Sequence, residues 1–222
     1  MDTPSGFSGR SYLRIVEHYE ETLARHGDSH RGVDWPDAAD AEIRYRVMLD
    51  LLSADATRRE ARLELLDFGC GAGHFLEFLR REDVTGLAYR GIDLSDRFIA
   101  LCHEKFAGVP FSCVDVLAPE TSLPECDYVI ANGVFTEKCD LSFEEMTAFF
   151  EAVVRRLWTA TRRGMAFNLM STNVEWERED LFHMPLDVVT AFLTRHITRH
   201  LVIRMDYALH EYTVYAYRQP SK

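Results

Sequence analysis

Residues 63–79, reading LELLDFGCGAGHFLEFL, constrain this chain more than any other stretch. Residues 63–68 are a short apolar run with an acid near its end, the pattern of a buried parallel strand. Glycines follow at 69, 71 and 73, and then Phe75, Leu76 and Leu79 recur at helical spacing with Phe78 beside them. The spacing predicts a helix starting near Gly73. Strand, glycine turn and helix make the first half of a nucleotide-binding βαβ unit. The glycines have a physical task there: a tight turn needs positive φ, and a ligand lying along the backbone leaves no room for a Cβ.

The rest of the chain repeats the alternation. Residues 87–92 read as a second strand ended by Asp93, which follows Gly73 by 20 residues. That separation is where a doubly wound fold puts the acid that accepts hydrogen bonds from a ribose. Residues 111–114 read as a third strand closed by Asp115-Val116, and residues 127–131 as a fourth, with Asn132-Gly133-Val134-Phe135 just past its end. Residues 163–168 are a fifth, ending on Asn168. Ligands of open α/β sheets bind outside the carboxyl ends of the strands, so Gly69, Asp93, Asp115 and Asn132 are expected to converge on one edge.

Between the strands lie helix signals. Ser95 can cap one helix, and Ser142 with Glu145 forms a capping box for another. Pro185 opens a third that runs to about His196. Residues 199–207 and 211–217 are expected to close the sheet as an antiparallel pair. Ahead of the first strand, residues 1–10 read as a loose tail. Tyr12, Ile15, Val16, Tyr19 and Leu23 make a helical stripe to about His26, and Asp37 can cap a helix carrying Ile43, Val47, Met48, Leu51 and Leu52. Residues 169–184, polar and acidic with Trp176 and His183, read as an insertion.

Composition excludes several classes. A net charge of −11 argues against a surface that tracks nucleic-acid phosphates or an anionic membrane, so neither partner is expected. The five cysteines, at 70, 102, 113, 126 and 139, contain no C-x-x-C pair and suggest neither a zinc nor a disulfide framework. No signal-peptide pattern is seen, and no apolar run approaches the ~20 residues that span a bilayer, so a cytoplasmic location is expected.

A dinucleotide fingerprint is G-x-G-x-x-G/A. Here the third glycine comes one residue early, as Asp67-Phe68-Gly69-Cys70-Gly71-Ala72-Gly73, and the segment resembles the first motif of class I S-adenosylmethionine (SAM)-dependent methyltransferases. With the strand-end acids in order, the resemblance covers roughly residues 40–218. It implies a Rossmann-like α/β fold: a seven-stranded, mostly parallel sheet with helices on both faces and an antiparallel final strand. One domain over 1–222 is expected, with 1–55 as an N-terminal helical cap and 169–184 as an insertion.

The implied cofactor is SAM. Asp67, Gly69, Cys70, Gly71 and Gly73 would meet it at the glycine turn. Asp93 and Leu94 would lie at the ribose, Asp115 and Val116 at the adenine, and Asn132 and Gly133 at the end of strand four. From the segment ahead of the sheet, Trp35 is a further cofactor contact, and Arg31 and Arg44 are candidates to meet the SAM carboxylate. SAM brings its own electrophile, so positioning carries much of the barrier reduction and no catalytic base is demanded. His183, Tyr19 and His210 are the catalytic candidates. The N-terminal helix and the insertion are expected to form a lid, with Tyr19, Trp35 and His183 facing the substrate.

Asn132 is not followed by the Pro-Pro-aromatic run of enzymes that methylate nucleic-acid bases or protein glutamine. With the acidic charge, this favours a small-molecule acceptor with an oxygen or nitrogen nucleophile. No metal-binding acids of the catechol type can be matched, and no metal is expected. The rival readings are a non-catalytic SAM-fold binding protein, a methyltransferase acting on a protein or nucleic acid, and a short NAD-binding reductase. The last is disfavoured by the glycine spacing and by the lack of a Tyr-x-x-x-Lys pair.

Overall fold

The apolar run at 63–68 becomes β1 (Leu63–Phe68), and every later strand is placed relative to it. The others are β2 (Leu87–Asp93), β3 (Phe111–Cys113), β4 (Cys126–Ala131), β5 (Thr161–Met170), β6 (His200–Arg204) and β7 (Glu211–Tyr217). The helices are α1 (Leu13–His26), α2 (Ala38–Leu49), α3 (His74–Arg81), α4 (Asp96–Lys105), α5 (Phe143–Ala160) and α6 (Leu186–His196). This computed structural model describes residues 10–54 and 62–220; most of the expected N-terminal tail, residues 1–9, lies outside them.

The strands form one seven-stranded sheet in the order β3-β2-β1-β4-β5-β7-β6. β7 runs antiparallel to both of its neighbours, and the remaining pairs are parallel. The chain leaves β1 toward β2 and β3, then returns to place β4 on the other side of β1. That reversal is a topological switch point, and it opens a crevice outside the carboxyl ends of β1 and β4.

Alternation along the strands divides the core between the two faces. On one face Leu63, Leu65, Tyr128, Ile130 and Tyr215 pack with Met48, Phe75, Phe78 and Phe106 from α2, α3 and the end of α4. On the other, Leu66, Phe68, Val129, Phe167 and Val214 pack with Phe150, Val153 and Leu157 of α5 and Phe192 of α6. The helix starts are those the sequence predicts. Asp37 accepts from Ala39 N, Ser95 accepts from Phe98 N, and Ser142 and Glu145 make both bonds of a capping box.

Two expectations need correction. β5 runs on to Met170, so the supposed insertion begins inside a strand. Its far end also returns to the sheet: Met184 N donates to Met170 O at 3.0 Å, and Phe182 N to Thr136 O at 2.7 Å. The cause is burial, since Leu181, Phe182 and Met184 are each less than 10% exposed. The final hairpin also differs: β6 stops at Arg204, short of the expected residue 207, which lengthens the connection to β7.

Candidate active site

The floor of the crevice is the glycine turn. Gly69 N and Cys70 N both donate to Ile92 O, which ties the turn to β2. Gly69 sits at φ 70°, and a Cβ there would meet Val134 Cγ2 at 2.5 Å, so this position requires glycine. Asp93, at the end of β2, fixes the turn from the other side. Its Oδ2 accepts from Gly71 N at 2.9 Å and its Oδ1 from Ser95 N at 2.9 Å. Asp67 is buried beneath the turn and accepts from Tyr89 Oη at 2.6 Å. Burial pushes its carboxyl up to about 7, the Tyr89 hydrogen bond opposes the rise, and the nearby Asp93 charge adds to it.

The roof comes from the N-terminal segment. Tyr12 stacks on Phe149, with ring centroids 5.3 Å apart, and donates its hydroxyl to Asp115 Oδ2 at 2.8 Å. Burial and that carboxylate push the Tyr12 phenol up to about 12. Glu20 accepts from Ser95 Oγ at 2.6 Å. Beyond α1, Asp28 meets His74 Nε2 and Lys105 Nζ, each at 2.8 Å, and so anchors the loop to the start of α3 and the end of α4. Trp35 lies over Gly133, where an added Cβ would stand 2.6 Å from the indole ring.

Floor and roof enclose a mostly apolar cavity of about 150 Å³. Asp67, Gly69, Cys70, Gly71, Asp93, Leu94, Asp115, Val116, Asn132 and Gly133 line it, together with Tyr19 and Trp35. Gly73 is one step away at the helix start and is not among the lining residues. Val33, Tyr45, His74 and Val134 also line the cavity. They carry no motif, and only their place beside the turn or in the cap brings them there.

Other candidates lie elsewhere. Arg44 is buried, and its Nε donates to Glu211 Oε2 at 2.9 Å with its guanidinium 4.0 Å from the Trp35 ring centroid. A buried carboxylate needs a cation, and Glu211 takes this one. Asn168 then links Glu211 to Gly133 N, at 3.1 and 2.7 Å. Arg44 therefore supports the cavity from behind, and Arg31 is exposed on the surface. His183 is also outside the cavity. Its Nδ1 donates to Ser171 O at 2.7 Å and its Nε2 accepts from Arg178 N at 3.4 Å, so both ring nitrogens serve to hold the loop. His210 is exposed, 5.1 Å from the Trp176 ring. Of the three catalytic candidates only Tyr19 faces the cavity. Burial raises its phenol well above the ordinary value, and Glu137 and Asp34 raise it further, so it stays protonated near neutral pH.

Residues 66–164 match a family model described as a methyltransferase domain. Magnesium protoporphyrin IX methyltransferase from Synechocystis PCC 6803, solved with bound SAM, has the same fold. The TM-score is 0.62 at 15% identity, over 98% of this chain and 100% of that one. The plantazolicin methyltransferase, solved with S-adenosylhomocysteine, gives a TM-score of 0.56 at 11% identity, covering 96% and 92%. Among curated proteins, a Mycobacterium tuberculosis relative described only as a candidate methyltransferase is 28% identical over 152 residues, 67% of this chain and 89% of its own length. Residues 66–164 thus match a methyltransferase domain, and the chain has the fold of class I SAM-dependent methyltransferases.

The cavity suits SAM on its own chemistry. Asn132 Oδ1 is buried without a hydrogen-bond donor, as a site awaiting an ammonium or hydroxyl group leaves it. Asp93 accepts from backbone N–H groups around the turn, and a carboxylate has about four acceptor sites, so capacity is left for a ribose hydroxyl.

Proposed function

We propose that the chain methylates a small-molecule acceptor at an oxygen or nitrogen, with SAM held along the carboxyl ends of β1, β2 and β4. The observation that carries this reading is the roof. α1 and Trp35 cover the β4 end of the crevice, so an acceptor has to fit beneath them. The net charge of −11 supports it, because it disfavours a nucleic-acid partner.

SAM, when bound, supplies a methyl group on a positively charged sulfur. The chain's part is to hold and orient. Asp93 would hold the ribose, Asp115 and Val116 the adenine, and Asn132 the amino end. The acids at the strand ends favour a cationic guest, and the apolar walls exclude water from the reacting atoms. Tyr19, protonated, would donate a hydrogen bond to the acceptor and fix its approach.

Tritium-labelled SAM incubated with the protein and an extract of its source cells tests this. Label should enter the dialysable fraction. Label confined to protein or nucleic acid would replace the reading with a macromolecular acceptor.

A further inference from the structure

Beside the Tyr19 end of the cavity, three side chains from separate segments meet: His18 of α1, Asp34 just after the 3₁₀ turn His30–Val33, and Glu137 beyond β4. Each offers one ligand atom, and these atoms lie within 4.8 Å of one another. His18 Nε2 and Asp34 Oδ2 are 2.8 Å apart, and both side chains are about one-third exposed, so the cluster opens to solvent on that side. Glu137 closes the buried side. It is 8% exposed, and among the described residues no hydrogen bond or ion pair reaches its carboxylate. The guanidinium that acts on it, Arg178, is committed to Asp180. Burial pushes the Glu137 carboxyl up to about 7, and Asp34 and Asp180 add to the rise, with Arg178 and His18 opposing. A buried carboxylate aimed at a second carboxylate and an imidazole, with no donor of its own, lacks a counter-ion.

The geometry points to a divalent-cation site formed by His18, Asp34 and Glu137, one that ties the N-terminal cap to the segment after β4. One imidazole and two carboxylates suit Mn²⁺ or Zn²⁺, and three protein ligands leave a position for water or for an oxygen of the acceptor. The sequence hides such a site because its ligands come from three distant segments with no metal-ligand spacing. Its occupation would bear on the cavity through neighbours: Tyr19 follows His18, and Asp34 stands between Val33 and Trp35, all three of which line the cavity.

The test uses the full chain, stripped with chelator and titrated with Mn²⁺ in the absence of SAM, with free Mn²⁺ read by electron paramagnetic resonance. One ion per chain should bind. Changes to groups that only orient a ligand weaken metal binding ~10–100-fold, so loss of a ligand in His18→Gln or Glu137→Gln should cost about 100-fold or more. Glu104→Gln, an exposed acid on α4, should bind as wild type. Bound Mn²⁺ should also slow amide exchange across residues 13–26, which a surface-bound ion does not do. His18 is partly exposed, so His18→Gln keeps the fold whatever Glu137→Gln does. No binding by the folded chain, or binding unchanged in His18→Gln, would overturn the site.

Discussion

Asp93 does more than end a strand. Its two oxygens hold the N–H groups of Gly71 and Ser95, so the residue shapes the glycine turn as well as offering acceptors to a ribose. Hydrogen bonds to a charged group contribute ~1.5–3 kcal/mol, and Asp93→Ala should therefore weaken SAM binding at least ~10-fold by calorimetry. Asp93→Asn should be nearly as harmful, because its NH₂ group would face one of the two backbone donors. Wild-type affinity in Asp93→Asn would show that the turn does not depend on that carboxylate.

Asp67 permits a pH experiment. Its carboxyl is raised from 3.8 to about 7 in the folded chain, so the folded state binds the proton more tightly than the unfolded state does. The resulting stability is fully present below about pH 4 and is lost as pH rises through about 7, at no more than ~1.4 kcal/mol per pH unit. Asp67→Asn removes this dependence but can still accept from Tyr89. Denaturant melts should show the wild type losing stability relative to the variant between pH 4 and 7. Parallel curves would mean that Asp67 is ionised throughout. Residues of this kind are legible in the sequence because the turn and the strand ends are local patterns. Arg44 was not: its partner Glu211 is 167 residues away, and only the folded sheet brings the pair together.

Among the elements, α1 and the loop after it separate this chain from a bare sheet. They are held by polar contacts, Tyr12 to Asp115, Glu20 to Ser95 and Asp28 to His74 and Lys105, and by the apolar packing of Tyr12 and Ile15. Segments held in this way open at low free-energy cost, as closing lids must. Asp28→Ala should raise amide exchange in residues 13–26 and speed SAM release, with the sheet unaffected. Unchanged exchange there would mean that apolar packing alone holds the cap. Gly133→Ala tests the other end of the roof. At φ 79°, with a Cβ 2.6 Å from the Trp35 ring, it should displace the indole and destabilise the fold by about 1 kcal/mol or more. A shift in tryptophan emission, together with weaker SAM binding, would report it.

The amphipathic stripe of α1 predicts a helix but not the surface it covers. The polar composition of 169–184 hides three buried apolar residues near its end, so the segment reads as a free insertion when it is pinned back on β5 and the segment after β4. His183 is part of that pinning, which explains why a histidine in a long loop proves to be structural.

At the scale of the molecule, the sheet order follows from the order of strand signals along the chain. The crevice follows from the reversal between β3 and β4. Five strands in series, four of them followed by a helix, and a closing antiparallel pair are all local periodicities, so the fold was readable. The acceptor side was not, because it is built from α1, the Asp34–Trp35 turn and the segment after β4, which meet only in three dimensions. The central claim is that SAM lies across the carboxyl ends of β1, β2 and β4 under the N-terminal cap. A crystal structure of the chain with S-adenosylhomocysteine tests it most directly. The account expects the ribose hydroxyls on Asp93, the adenine beside Asp115 and Val116, and Tyr12 and Trp35 above the ligand. A ligand bound away from Asp93, or outside the space beneath α1, would contradict it.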